Sequence, residues 1–474
     1  MEFTIVGIFY ILFIRYLMSY SDDFIESMIL LCVVSEIFIE LGFIFKIGSW
    51  DFSCTRFIED ILAIYCFLNF YSVRDYFKNK WMTLSACYLL PIVFIVLLPA
   101  DILVATTKVT WDDILLNGAS PVPPSINFAV ITATLRFIMY AFTVAYIYST
   151  FSLEKYKNLI IKLSRICNVF LAIAIFEVIV KDVFNGNEIW GAMIKFLFGE
   201  TESTVYVGRL KDNFYELTLF TKEASHYAYM IFVIMMIKIA NNVINNYRIV
   251  SGSVIICFAL LFLSTSFSSI LLAVSILIIL LIYRWEVFQP TTLKFEIITL
   301  AFLIVFSFSS IFFYIVETDW SLGNRLSSLI DNYSDLIDLD WSYDIIGEDR
   351  SSQIRIISVI QALLAFTSRP LVGFSLNTVA CHGATAQFLA GAGIIGLVFW
   401  VRHYFYLLPL YSDYEVYKKG YAACIIIYLI VNLLNSIGLR PFYELTPFVV
   451  AVCCAFIFAV PAYFEQNDCI NNYE

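Results

Sequence analysis

Five arginines in two polar stretches of this chain have the chemistry needed to hold an anion. Arg209 stands in the stretch 185–223, and Arg325, Arg350, Arg355 and Arg369 stand in 317–383. A guanidinium grips phosphate oxygens at two points through its planar fork of donors, which suits it to a pyrophosphate. Pairing with nearby aspartates (Asp331, Asp335, Asp338, Asp340) is the plainer use of the same residues,. The chain has three histidines, and His382 is the one that shares a stretch with these arginines. An imidazole titrates close to neutral pH, so His382 is the candidate acceptor for a hydroxyl proton. Glu223, near Arg209, could orient an arginine. Asp112 and Asp113 are an adjacent acidic pair of the kind that can hold a metal, although solvated loop residues look the same. No Cys/His spacing resembles a zinc site.

The elements that must position these residues follow from composition. Hydrophobic residues make up 61% of the 474, charged residues 14%, and mean hydropathy is +0.83. A soluble domain is about half apolar and about a quarter charged. The excess apolar surface is therefore expected to face lipid. The formal charge of −10 argues against a nucleic-acid partner, which needs clustered cations,. The 11 cysteines fall mostly inside apolar runs, where they act as small hydrophobes,. Cys54 and Cys381 lie on the outer side, where a disulfide can form.

Runs of about 20 apolar residues mark spanning helices. They are expected at 3–20, 27–47, 57–73, 82–99, 125–149, 166–184, 224–240, 252–266, 268–284, 297–316, 384–410, 420–437 and 447–463. The fold class is thus all-α, a polytopic transmembrane bundle of about 12–13 spans in a single membrane domain, 1–474. The segment 1–20 lacks the positive start and the cleavage site of a signal peptide and reads as a retained span,. Glu36, Glu40, Glu59 and Asp60 interrupt the early spans, and 252–284 requires a tight turn at 264–268. Glu177 and Lys181 are an i, i+4 pair that can neutralise each other inside a span, and Arg136 should face a helix or cavity,. Short basic loops stay in the cytoplasm. Lys155, Lys157, Lys162 and Arg165 form one such cluster, which puts 185–223 and the long loop 317–383 outside. Positions Ile354, Ile357, Ser358, Gln361, Ala362 and Ala365 suit an interfacial helix in that long loop,. Small residues from Ala384 to Gly396 suit close helix packing,.

Three stretches, taken together, resemble the O-antigen polymerase and O-antigen ligase superfamily. R-L-K-D-N-F-Y-E-L-T-L-F-T-K-E-A-S-H-Y-A at 209–228 resembles the family's loop arginine followed by a Glu-Pro-Ser-like helix start, with Ala224 in place of Pro. L-S-T-S-F-S-S-I-L-L-A at 263–273 is similar to its Ser-x-Ser-Arg turn, with Phe267 in place of Arg. R-I-I-S-V-I-Q-A-L-L-A-F-T-S-R-P-L-V-G-F at 355–374 keeps the spacing from arginine to a Pro-Leu-x-Gly element. It leads into H-G-A-T-A-Q-F-L-A-G-A-G-I-I-G at 382–396. Val359, Gly383 and Gly391 replace a common Trp, Asn and Glu.

The resemblance implies a GT-C-like helical architecture and a metal-independent glycosyltransferase without a cofactor. Its site would face the periplasm from a bacterial inner membrane. Donor and acceptor would be undecaprenyl-pyrophosphate-linked oligosaccharides, with a chain-length regulator as a further partner. Arg209, Arg355 and His382 would be catalytic, and Glu223, Arg325, Arg350 and Arg369 would bind substrate. The acidic loop 317–349 suits a glycan acceptor better than a phosphate-rich lipid A core, which favours polymerase over ligase. A flippase would show inverted repeats and charges lining a central path at mid-membrane; no repeat is evident, and the candidate charges cluster in the outer loops,.

Overall fold

Helices dominate because long runs of Ile, Leu, Phe and Met have no water to satisfy their backbone and must bond internally. The computed structural model describes residues 2–20, 24–38, 43–47, 50–69, 151–199, 210–211, 214–215, 217–221, 224–246, 249–264, 267–284, 369–374, 384–405, 415–431 and 445–471. It also describes Leu41, Cys381, Gly383 and interspersed positions of 131–150 and 358–367. The spans expected at 82–99 and 297–316, and the acidic loop 317–349, lie outside the described residues.

In chain order the elements are β1 Glu2–Phe3, α1 Ile5–Tyr20, α2 Phe24–Phe38, β2 Phe43–Ile47, β3 Trp50–Ser53 and α3 Cys54–Leu68. Next come α4 Leu153–Val178 with a π-turn at Ile179–Val183, α5 Asn187–Phe198, β4 Leu210–Lys211, β5 Phe214–Tyr215 and α6 Ala224–Asn246. Then follow α7 Gly252–Leu263, α8 Phe267–Arg284, α9 Ala384–Phe405, α10 Glu415–Val431 and α11 Thr446–Asn471. The strands form two small antiparallel sheets, β1-β2-β3 and β4-β5.

The centre of the molecule is α6. Every residue from Tyr227 to Ala240 is at most 4% exposed, as expected of a helix that is apolar on all sides. It packs against α4, α7, α8 and α11. Lys238 is accommodated in this core by three neutral acceptors, Ser164 O, Ser164 Oγ and Asn168 Oδ1. The Tyr229 and Tyr428 hydroxyls meet at 2.8 Å and tie α6 to α10.

Two helices among the described residues, Leu153–Val183 and His226–Asn245, are long and apolar enough to cross a membrane. The first changes character along its length. Ser152 caps it by accepting from Lys155 N, and its early outward residues include Glu154, Lys162 and Arg165. From Val169 onward the outward face is Val169, Ile175, Phe176, Ile179, Val183 and Phe184. Comparable exposed apolar faces lie on α1 (Phe9, Leu12, Phe13), α3 (Phe67, Leu68) and α10 (Ile426, Ile430).

The helix expected over 27–47 is not continuous. α2 stops at Phe38, and 43–47 runs as a strand between β1 and β3. Glu36 explains where the helix is held. Its carboxylate accepts from Leu445 N, Thr446 N and the Thr446 hydroxyl at 2.8, 2.7 and 2.6 Å. It therefore caps the first turn of α11, where unpaired amides and the helix dipole favour a negative charge. Where a tight turn is expected, α7 ends at Leu263, Ser264 is in a turn and α8 begins at Phe267, with 265–266 outside the described residues. Glu36→Ala strands those amides and should destabilise the protein by about 2 kcal/mol, measured as a lower thermal midpoint in detergent. An unchanged midpoint would refute the capping role.

Candidate functional site

The candidate site is built around a break in α9. At Gly393 the backbone leaves the helix, with φ 64° and ψ −170°. In an unbroken helix Ile394 N would donate to Ala390 O. Here Ile394 N donates to Pro370 O at 2.8 Å, and Ile395 N donates to Leu371 O at 3.2 Å. The released Ala390 O accepts from Phe374 N at 2.8 Å. The segment 369–374 is thus stitched into the helix by an exchange of backbone partners, which leaves these backbone groups satisfied,.

Only glycine fits this seam. A Cβ on Gly393 would lie 2.4 Å from the carbonyl carbon of Leu371, and one on Gly373 would lie 2.5 Å from that of Gly391. Both glycines have positive φ. The glycines of α9 were expected to admit a neighbouring helix; at Gly391 and Gly393 they admit non-helical chain instead. The described positions within 358–367 are helical. Val359, Ala362 and Ala365 form a small core with Phe374, Ala386 and Ala390, so the helix expected there leans on α9 through small side chains.

This packing fixes Arg369. Its backbone N donates to Phe366 O, and its own carbonyl accepts from Gly373 N. The guanidinium lies over the Phe374 ring at 4.4 Å, a cation–π contact,. Its Nη1 is buried and has no hydrogen-bond partner among the described residues. Burial also pulls its pKa down, because the guanidinium loses water,. An arginine in a protein keeps its proton, so the arrangement is a fixed cation with Nη1 uncommitted among the described residues,. Such a group can take an oxyanion.

Arg209, Glu223, Arg325, Arg350, Arg355 and His382 lie outside the described residues, as do Asp112 and Asp113. In sequence, Arg209 immediately precedes β4, Glu223 immediately precedes α6, and His382 stands between Cys381 and Gly383 at the start of α9. Cys54 and Cys381 are both free thiols, not a disulfide. Burial pushes the Cys381 thiol up to about 11, so it is protonated at neutral pH and is no nucleophile,.

Two charge clusters were partly legible. Glu177 and Lys181 do pair, at 2.8 Å with both side chains fully buried. Arg136 does face a cavity, which Glu59, Asp60, Tyr140 and Thr143 also line. Beside it, ligand atoms of Cys32, Glu36 and Glu59 lie within 4.8 Å of one another, the arrangement among the described residues that could hold a metal. The Glu36 oxygens are already taken by α11, and the Cys32 thiol donates to one of them at 3.2 Å. The group therefore reads as a helix cap.

No protein-family model, curated protein or solved structure matches this chain. The break in α9 makes a direct prediction. Gly393→Ala should cost about 2–3 kcal/mol from strain and collision. Gly191→Ala, in α5 with open space around it, should instead stabilise by about 0.5–1 kcal/mol. Thermal unfolding of the two variants should move the midpoint in opposite directions; a shared direction would contradict the geometry.

Proposed function

We propose that this chain is a polytopic α-helical membrane protein of GT-C-like architecture that polymerises undecaprenyl-pyrophosphate-linked oligosaccharide units. The resulting surface polysaccharide would form at the outer face of a bacterial inner membrane. The membrane assignment draws on composition and on the exposed apolar faces of α1, α3, α4 and α10. Patches of that kind mark a surface that meets something other than water.

The observation that carries the enzymatic reading is Arg369. It belongs to the Arg-Pro-Leu-Val-Gly-Phe element of the family-like motif, and that element is bonded into the glycine-bearing helix of the same motif. Two pieces that resemble the family in sequence are therefore in contact, and between them they hold an arginine whose Nη1 has no partner among the described residues.

In the proposed reaction the donor's anomeric carbon–oxygen bond to pyrophosphate breaks. A hydroxyl oxygen of the acceptor glycan bonds to the same carbon from the opposite face, giving inversion. The hydroxyl proton passes to His382, and undecaprenyl pyrophosphate leaves. Pyrophosphate is already a good leaving group, so it needs cations more than a general acid. Arg209 and Arg355 stabilise its growing charge away from water, while Glu223, Arg325, Arg350 and Arg369 hold donor and acceptor.

Purified protein given undecaprenyl-pyrophosphate repeat units and a chelator should yield a glycan ladder. Arg355→Ala and His382→Ala should each abolish it at unchanged protein level. A ladder that requires magnesium or manganese would move the chemistry to Asp112 and Asp113. Transfer to lipid A core alone would make the chain a ligase. Wild-type ladders from either variant would remove the site assignment.

A further inference from the structure

Tyr215, Thr218 and Leu219, which lie between Arg209 and Glu223 in sequence, are tied to acceptors on α4, its π-turn and the residues just after it. Asp182 Oδ1 accepts from Tyr215 N at 3.1 Å, and Asn185 Oδ1 accepts from the Tyr215 hydroxyl at 3.0 Å. Tyr215 is paired across the hairpin with Leu210, the residue after Arg209. Glu177 accepts from Thr218 N and Leu219 N at 3.0 and 2.9 Å. Leu219 has a φ of 48°, so these consecutive amides form an anion-binding concavity. The anion that fills it is a side chain of the protein itself. Lys181 neutralises that carboxylate at 2.8 Å and lies 5.9 Å from the centre of the Trp190 ring. The turn is closed by Thr221, whose N and hydroxyl both donate to Thr218 O.

The π-turn explains how two carboxylates five positions apart address one segment. In an α-helix, residues i and i+5 point about 140° apart. Across Ile179–Val183 the chain is wound more widely, and i→i+5 bonding brings such residues towards one side. Phe184 N donates to Ile179 O in this pattern. A regular helix would direct Glu177 and Asp182 to different neighbours.

We propose that Glu177 and Asp182 are positioning residues: a latch that sets where the chain between Arg209 and Glu223 stands relative to the donor pyrophosphate. The proposal rests on the functional reading above. Glu177, fully buried with Lys181, supports the turn from below. Asp182 is half-buried and can be changed without stranding a buried charge.

The test uses the full chain in lipid nanodiscs with an undecaprenyl-pyrophosphate repeat unit as the probe. Asp182→Ala should lower kcat/KM by about 10- to 100-fold, the scale of a misplaced catalytic group. Asp182→Asn keeps Oδ1 as an acceptor and should restore most of the loss. In an Arg209→Lys background Asp182→Ala should cost less than about twofold, because a residue acting through Arg209 is not additive with it. Amide exchange over 212–221 should rise in Asp182→Ala and stay unchanged in α6 to α8. Unchanged exchange, or a full second loss in the Arg209→Lys background, would overturn the latch. A wild-type protein that forms no ladder would overturn the functional reading and with it the positioning role, while the exchange data would still report whether the segment is held.

Discussion

A backbone group that leaves its helix away from water must find another partner, and the arrangement at Gly393 depends on that rule. The break frees two amides and a carbonyl of α9, and 369–374 supplies their replacements. The exchange works only because glycine at 373 and 393 lets the two chains approach to backbone contact. The side chain that this seam fixes is Arg369, set on Phe374 with one donor uncommitted. Geometry made by backbone hydrogen bonds is stiff, which is what a binding group needs if it is not to lose its binding energy to its own ordering.

Two glutamates meet the same demand elsewhere. Glu36 ends α2 by capping α11, and Glu177 fills the concavity of the turn that leads into α6. Each carboxylate serves two backbone amides at once. In apolar surroundings a carboxylate that is fully hydrogen-bonded is tolerated where a lone one is not. Both residues interrupt apolar runs, and both join segments distant in sequence. They act as connectors in a fold whose side chains otherwise offer little direction, because packed Ile, Leu and Phe specify contact without orientation.

Much of the helical frame was legible in the sequence. α6, the α7–α8 pair with its turn at Ser264, and the late helices α10 and α11 follow from apolar length alone. The Glu177–Lys181 pair was legible because its partners are four residues apart. The end of α2 was not, since the groups that hold Glu36 come from the far end of the chain, at Leu445 and Thr446. Nor was α5, which lies in a segment read as loop. Its signal was present in Trp190, Ile194 and Phe198, all buried on one face, and in Gly199 at its end with a φ of 79°. The glycines of α9 announced a close approach but not its partner, because a missing Cβ looks the same beside a helix and beside a loop. Arg369 was legible as a candidate from its place in the polar stretch 317–383, beside the acidic segment; its stacking on Phe374 depends on a break that periodicity does not reveal.

Under the proposed function Arg369, held at the break in α9, meets the pyrophosphate of the lipid-linked donor. Equilibrium binding of undecaprenyl pyrophosphate itself, without any glycan, to the protein in nanodiscs tests it most directly. Arg369→Gln should weaken this binding by about tenfold, the scale of one charge-assisted hydrogen bond. Added salt should weaken wild-type binding more than it weakens the variant. Equal affinity of the two proteins at every salt concentration would contradict it.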